Sequence, residues 1–297
     1  MSKIQDALKR LRDQRDDAGK PGRRPLPDTV VPIVGTKKPE ISGEKFALNE
    51  ADLIRRGLLA PVEYALPVAD EFRRIKRPLI DNAISGRDSD ENMNLIVVAG
   101  AVPGVGKTFC SMNLAASISL EREISVMLID SDVAKPHISS ACGLADRPGL
   151  IDVLVDDSIA LEDVIVRTDM NDIQILPAGK RHPQSTELLA SDRMAEVMHD
   201  LASRYRDRIL VMDSPPLLIT SEAQAVARQA GQVALVLECG KTTNQQIHDA
   251  LEVLDRDKAI NVIFNKSIHA PGGGYYGGHY GDYGAYGFNT EADAEDR

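Results

Sequence analysis

The sequence predicts an α/β domain, a mostly parallel sheet with helices on both faces, and three observations carry that reading. Short apolar runs alternate with helical stretches from Asn94 to the end of the apolar pattern. The runs are rich in Val, Ile and Leu without polar alternation, as strands covered on both faces require. The first run enters a glycine-rich turn that opens a helix at Lys107. Strands are expected at 95–99, 124–129, 173–176, 208–212, 232–237 and 260–264. Helices are expected at about 107–121, 186–204, 220–230 and 243–256. In such sheets ligands collect beyond the carboxyl ends of the strands.

Taken in order, residues 1–17 read as a short amphipathic helix: Ser2 can cap it, and Ile4, Ala7, Leu8 and Leu11 share one face. A lone helix of this length frays in water, so it is either marginal or a docking element. Residues 18–48 form a Pro-rich linker carrying Pro21, Pro25, Pro27, Pro32 and Pro39, a disordered N-terminal arm. The body is expected over 49–270. Its first two helices lie near Glu50–Leu59 and Ala69–Lys76, and Pro78 should kink the second, or end it. Glu71, Arg74 and Arg77 recur at i, i+3, i+6, a spacing that by itself describes a solvated face. Residues 271–297 form a tail, in which 271–288 hold eight glycines and five of the chain's seven tyrosines. Glycine this dense predicts a mobile segment.

A formal net charge of −10 disfavours a general nucleic-acid binder. No apolar run is long enough to cross a bilayer, and the start of the chain lacks a signal core. Three separated cysteines, Cys110, Cys142 and Cys239, suggest a reducing cytoplasm rather than a disulfide framework.

The turn after 95–99 carries the chemistry. Ala101, Val102, Pro103, Gly104, Val105, Gly106, Lys107 and Thr108 fit the phosphate-loop pattern [AG]-x4-G-K-[ST], and Phe109 follows on the helix. Glycines let backbone N–H groups curl around a phosphate, and the helix start adds partial positive charge. A lysine at that positive end is unfavourable unless an anion offsets it. The reading is a P-loop NTPase binding ATP and Mg²⁺, with Thr108 offering a hydroxyl to the metal. Asp213, closing ILVMD, is the expected Walker B acid. Asp130 and Asp132 end a second apolar run, where each could hold the metal or accept a proton; Asp132 could also be a turn or cap residue.

Ala101–Thr108, VMLIDSD followed by Lys135-Pro136, and LVMDSPP together resemble the Walker A, A′ and B motifs of the bacterial tyrosine kinases. The likeness covers roughly residues 50–290, including LPAGKRHPQSTELLAS at 176–191. It implies ATP-dependent autophosphorylation, with Tyr275, Tyr276, Tyr280, Tyr283 and Tyr286 as acceptors. Glu71, Arg74 and Arg77 resemble the family's E-x-x-R-x-x-R motif, which implies ring-like self-assembly. Lys107, Asp130, Asp132 and Asp213 would be catalytic, Thr108, Asp132 and Asp213 would hold Mg²⁺, and Asn265 would approach the base. Asp130 is the first candidate for the phenol proton, and its role and that of Asp132 could be exchanged.

The short N-terminal helix and arm look most like the autokinases of exosortase-associated exopolysaccharide loci. That implies a separate membrane activator of the co-polymerase or chain-length type, recruitment to the inner membrane face, and a tyrosine phosphatase as counterpart. Two departures stand out: Lys135 replaces the family's usual arginine, and Gln184-Ser185 replaces a frequent Asn-Pro. The MinD/ParA partitioning ATPases share the fold and supply the alternative, a cargo-positioning switch. They carry a second lysine where this chain has Val102.

Overall fold

A computed structural model describes residues 45–86, 92–204, 207–255 and 258–267. The N-terminal helix, most of the arm and the tyrosine tail lie outside the described residues. Seven strands form one sheet: β1 Leu95–Ala99, β2 Ser125–Asp130, β3 Val166–Arg167, β4 Gln174–Leu176, β5 Arg208–Asp213, β6 Gln232–Glu238 and β7 Ala259–Asn265. Their order is β3-β4-β2-β5-β1-β6-β7, antiparallel at β3–β4 and parallel elsewhere. The helices are α1 Glu50–Arg55, α2 Ala65–Ser85, α3 Lys107–Ser119, α4 His137–Ala141, α5 Leu150–Val155 and α6 Leu161–Val164, then α7 Ser185–Leu189, α8 Asp192–Arg204, α9 Ser221–Gln229 and α10 Asn244–Val253.

β1 lies between β5 and β6 and is buried along its whole length. Leu95, Val97 and Ala99 join one core with α8, α9 and the inner side of α10. Ile96 and Val98 join the other with α2 and α3. A strand that packs on both faces has no polar face to show, which is why the run reads as unbroken apolar sequence. The register sets Asp130 opposite Asp213 across β2–β5, so two neighbouring strands end on acids at the same level.

Several boundaries differ from expectation. Pro78 does not end its helix: α2 runs 21 residues from Ala65 to Ser85 with the proline inside it. The stripe Phe72, Lys76, Leu79, Ile80 and Ala83 is buried, and its packing on the sheet outweighs one lost backbone hydrogen bond. The expected helix 186–204 is two, α7 and α8, because Ser191 intervenes and its hydroxyl accepts from the Met194 N–H at 3.2 Å. The first helix stops at Arg55, with Gly57 just beyond in the left-handed region at φ +70°. β3 and the short α4, α5 and α6 were not expected, since pieces of two to six residues show no period.

The body also begins earlier than residue 49. Phe46 donates its N–H to the Arg167 carbonyl at 2.8 Å and forms a parallel bridge to Thr168. The Arg147 guanidinium lies 5.2 Å from its ring centroid, and Lys45 pairs with Asp172 at 2.7 Å. Phe46-Ala47-Leu48 is too short an apolar run to carry a periodic signal, so it reads as part of the linker.

Candidate active site

The phosphate loop follows β1 as the motif requires. Gly104 and Gly106 take φ of +80° and +97°, values that favour glycine. At Gly106 a Cβ would also collide with the Asn265 amide. Gly106 caps α3, so Lys107 is its first residue. The Lys107 side chain is almost wholly buried, and burial holds its pKa below the ordinary lysine value, while Asp213 and Asp132 pull it back up. Ala101 and Val105 are buried and Val102 is half-buried between the two cores. The Phe109 ring stands edge-on to Phe72 at 6.1 Å, turned into the packing between α3 and α2. Cys110 is buried too, and burial with the nearby Asp213 raises its thiol to about 12, leaving it an inert packing group.

Around the lysine the structure brings together the acids that the sequence singled out. Asp213 is fully buried; it accepts from the Thr108 side chain and, at 2.9 Å, from Ser111 Oγ. Burial pushes its carboxyl up to about 6, against those hydrogen bonds and Lys107. Asp130 is fully buried as well. Its Oδ2 accepts from the Ser139 N–H at 2.8 Å and from Ser139 Oγ at 2.7 Å, and Oδ1 has no partner. Burial, then the charge of Asp213, lifts it to about 7. Asp132 is half-buried, accepts from the Lys135 N–H at 3.1 Å, and is raised by burial. Asn265 donates its amide to the Val105 carbonyl at 2.8 Å, so that group braces the loop.

Two polar residues at the site were missed. Ser111 lies one turn beyond Lys107 and holds the Walker B acid. Ser139 holds Asp130 and accepts from the Ala178 N–H at 3.0 Å, tying β2 to the loop after β4. Neither has a spacing that a sequence pattern could flag. Glu71, Arg74 and Arg77 are exposed on α2, on the side opposite its buried stripe. Arg77 reaches Glu121 at 3.8 Å, while the buried Lys76 pairs with Glu121 at 2.9 Å.

The donor set fits a magnesium nucleotide. Mg²⁺ takes oxygen ligands and keeps several waters, and here a hydroxyl and two carboxylates converge beside a loop of backbone N–H groups. Burial raises all three acids, and at Asp132 and Asp213 the nearby Lys107 only partly offsets it. The consequence is measurable. In the unfolded chain these acids ionise near 3.8, but Asp130 and Asp213 stay protonated in the fold to about 7 and about 6. Between those values the unfolded state binds fewer protons, so metal-free stability should fall as pH rises from about 4 to about 7. Urea midpoints across that range should show the fall, and Asp130→Asn should reduce it; parallel curves for the two proteins would contradict it.

The family model described as an AAA domain matches residues 93–268. A putative tyrosine-protein kinase EpsB of Ralstonia nicotianae is 32% identical over 210 residues, covering 69% of this chain and 27% of that protein. Tyrosine-protein kinase YwqD of Bacillus subtilis is 29% identical over 234 residues, covering 77% of this chain and 94% of YwqD. The chain thus spans about a quarter of the first curated relatives it matches, 27% and 26%, and nearly all of YwqD. Among solved structures, the kinase domain of Escherichia coli tyrosine kinase ETK superposes with TM-score 0.56 at 28% identity, covering 68% of this chain and 74% of that one. The BceF tyrosine kinase domain gives 0.58 at 28%, covering 72% and 86%. With the phosphate loop, both acid-tipped strands and the sheet order in place, the chain belongs to the AAA-domain family, and the relatives and solved domains it is similar to include proteins named bacterial tyrosine kinases.

Proposed function

We propose that this protein is an ATP-dependent tyrosine kinase that phosphorylates its own C-terminal cluster, Tyr275, Tyr276, Tyr280, Tyr283 and Tyr286, on a neighbouring copy. One observation carries the reading: a buried lysine and three acids meet at the carboxyl end of the sheet, in a chain that concentrates its tyrosines in one tail. Lys107 would bind the β- and γ-phosphates, and loop N–H groups would cradle them. Thr108, Asp132 and Asp213 would hold Mg²⁺, which neutralises phosphate charge when bound. Asn265 would reach the base with its amide oxygen or its second N–H, since one N–H is held by the Val105 carbonyl.

A phenol of pKa about 10 keeps its proton at neutral pH, so transfer is helped by a positioned acceptor. Asp130 was the first candidate. Its complete burial, with one oxygen spent on Ser139, favours Asp132 as the proton acceptor beside the metal and leaves Asp130 to order the end of β2. Lys135, Lys180 and Arg181 are exposed, Lys135 near enough to Asp132 to favour its charge and Arg181 donating to the Ala134 carbonyl at 3.0 Å. None of the three side chains forms a close ion pair among the described residues, and such a rim suits a tail carrying Asp282 and the acids after Phe288.

Eighteen glycine-rich residues have an r.m.s. span of roughly 20–25 Å, enough for delivery to a neighbour when Glu71, Arg74 and Arg77 join copies into a ring. Each phosphotyrosine adds about −1.5 to −2 charges, so a fully modified tail would repel an already acidic body and disperse the assembly. The relatives include the succinoglycan biosynthesis transport protein ExoP of Rhizobium meliloti, in line with a role in exopolysaccharide export. Among the described residues no helix is long and apolar enough to cross a membrane. A separate co-polymerase-type membrane protein would recruit and activate the kinase, with residues 1–17 as the docking element and a phosphatase resetting the tail.

Replacing the five tail tyrosines with phenylalanine should remove phosphotyrosine, read by mass spectrometry after incubation with Mg·ATP, and leave Mg·ADP binding unchanged. Phosphate that persists on Tyr64 or Tyr205 at the wild-type level would refute the tail as acceptor. ATP turnover with no phosphotyrosine in the wild type would favour the partitioning-type switch.

A further inference from the structure

A phosphate loop has two sides. When its N–H groups converge on phosphate, its carbonyls face outward and need donors of their own. Here two donors come from consecutive residues at the end of β7, far from the motif in sequence. Asn265 Nδ2 donates to the Val105 carbonyl at 2.8 Å, and Lys266 Nζ donates to the Gly104 carbonyl at 2.7 Å. The Lys266 ammonium also reaches Glu238 Oε2 at 3.2 Å. Lys241 on the other oxygen and Lys266 together hold that carboxyl below the usual range.

The backbone at Lys266 is in the left-handed region, φ +56°. Glycine would adopt it freely, whereas a lysine there is strained. The strained turn directs the side chain back across the end of β6 onto the loop. An ordinary surface ion pair with Glu238 would need no such turn, because Lys241 already supplies one at 2.6 Å. Gly106 completes the arrangement: its missing side chain leaves the space that the Asn265 amide fills.

We propose that Asn265 and Lys266 clamp the phosphate loop from its carbonyl side, and that Lys266 is a positioning residue for nucleotide binding. The proposal rests on the nucleotide-binding reading of the site. The Lys266 ammonium is taken up by the Gly104 carbonyl and Glu238. It fixes Gly104 so that the loop N–H groups are aimed before the nucleotide arrives, and so lowers the cost of ordering them on binding.

Strain and clamping make opposite demands on this position, which separates a positioning role from a merely structural one. Lys266→Gly and Lys266→Met both lose the ammonium, but only glycine relieves the strain. Lys266→Arg keeps a cationic donor. Titration calorimetry with Mg·ADP on the full chain, paired with thermal midpoints of the nucleotide-free protein, reads both effects. The expected result is that Lys266→Gly and Lys266→Met bind about five- to tenfold more weakly, that Lys266→Arg stays within about twofold, and that Lys266→Gly melts above Lys266→Met. Affinity that follows the melting order, or wild-type affinity in Lys266→Gly, would overturn the clamp. A wild-type chain that takes up no Mg·ADP would instead refute the nucleotide reading, and the clamp with it.

Discussion

Lys107→Ala should abolish autophosphorylation and weaken Mg·ATP binding by about two to three orders of magnitude, while the sheet stays folded. The lysine is the first residue of α3, buried, and flanked by Asp213 and Asp132. Burial disfavours its charge and the two acids restore it, so the ammonium is kept ready for the phosphates. Alanine removes the group that would meet the β- and γ-phosphates in a low-dielectric setting, where a charge-assisted contact is worth more than in water. Loop N–H groups and the helix start remain, so some residual phosphate affinity should survive. Calorimetry gives the affinity, and circular dichroism checks that the fold persists. Near-normal phosphotransfer in this variant would remove the loop from the mechanism.

Asp132→Asn should lower phosphotransfer by about 10²- to 10⁴-fold, the range expected for a lost proton acceptor that also lies beside the metal. Mg·ADP binding should fall far less, because Thr108, Asp213 and the loop stay in place. Asp130→Asn makes the contrast. That carboxylate is fully buried on Ser139, so its replacement should act mainly on stability and its pH dependence. Single-turnover measurements at saturating Mg·ATP separate the two. A larger loss in Asp130→Asn than in Asp132→Asn would return the proton-accepting role to Asp130.

The sheet was legible because parallel strands buried on both faces write themselves as unbroken Val/Ile/Leu runs, as Leu95–Ala99 and Arg208–Asp213 do. What escaped depends on contacts distant in sequence. β3 has two residues and exists through its pairing with β4 and Phe46. Pro78 predicts a kink or break, yet α2 continues through it, held by a buried stripe that only the folded sheet provides.

The site divides in the same way. Gly106-Lys107-Thr108 and Asp213 lie within local patterns that phosphate chemistry imposes, so sequence finds them. Ser111, Ser139 and Lys266 support Asp213, Asp130 and the loop from the next turn of α3, the short α4 and the far edge of the sheet. Their chemistry is ordinary and their spacing uninformative, so only the fold reveals what they hold. Asn265 was singled out for the base and is found bracing the loop.

If the catalytic loop of one copy acts on the tail of another, two inactive variants should complement each other when mixed. A Lys107→Ala chain keeps its tyrosines and lacks transfer; a chain with the five tail tyrosines changed to phenylalanine keeps the site and lacks acceptors. Incubated together with Mg·ATP and mapped by mass spectrometry, the pair should yield phosphotyrosine at 275–286 of the Lys107→Ala chain. A mixture that stays unmodified under conditions where the wild-type chain is phosphorylated would contradict it.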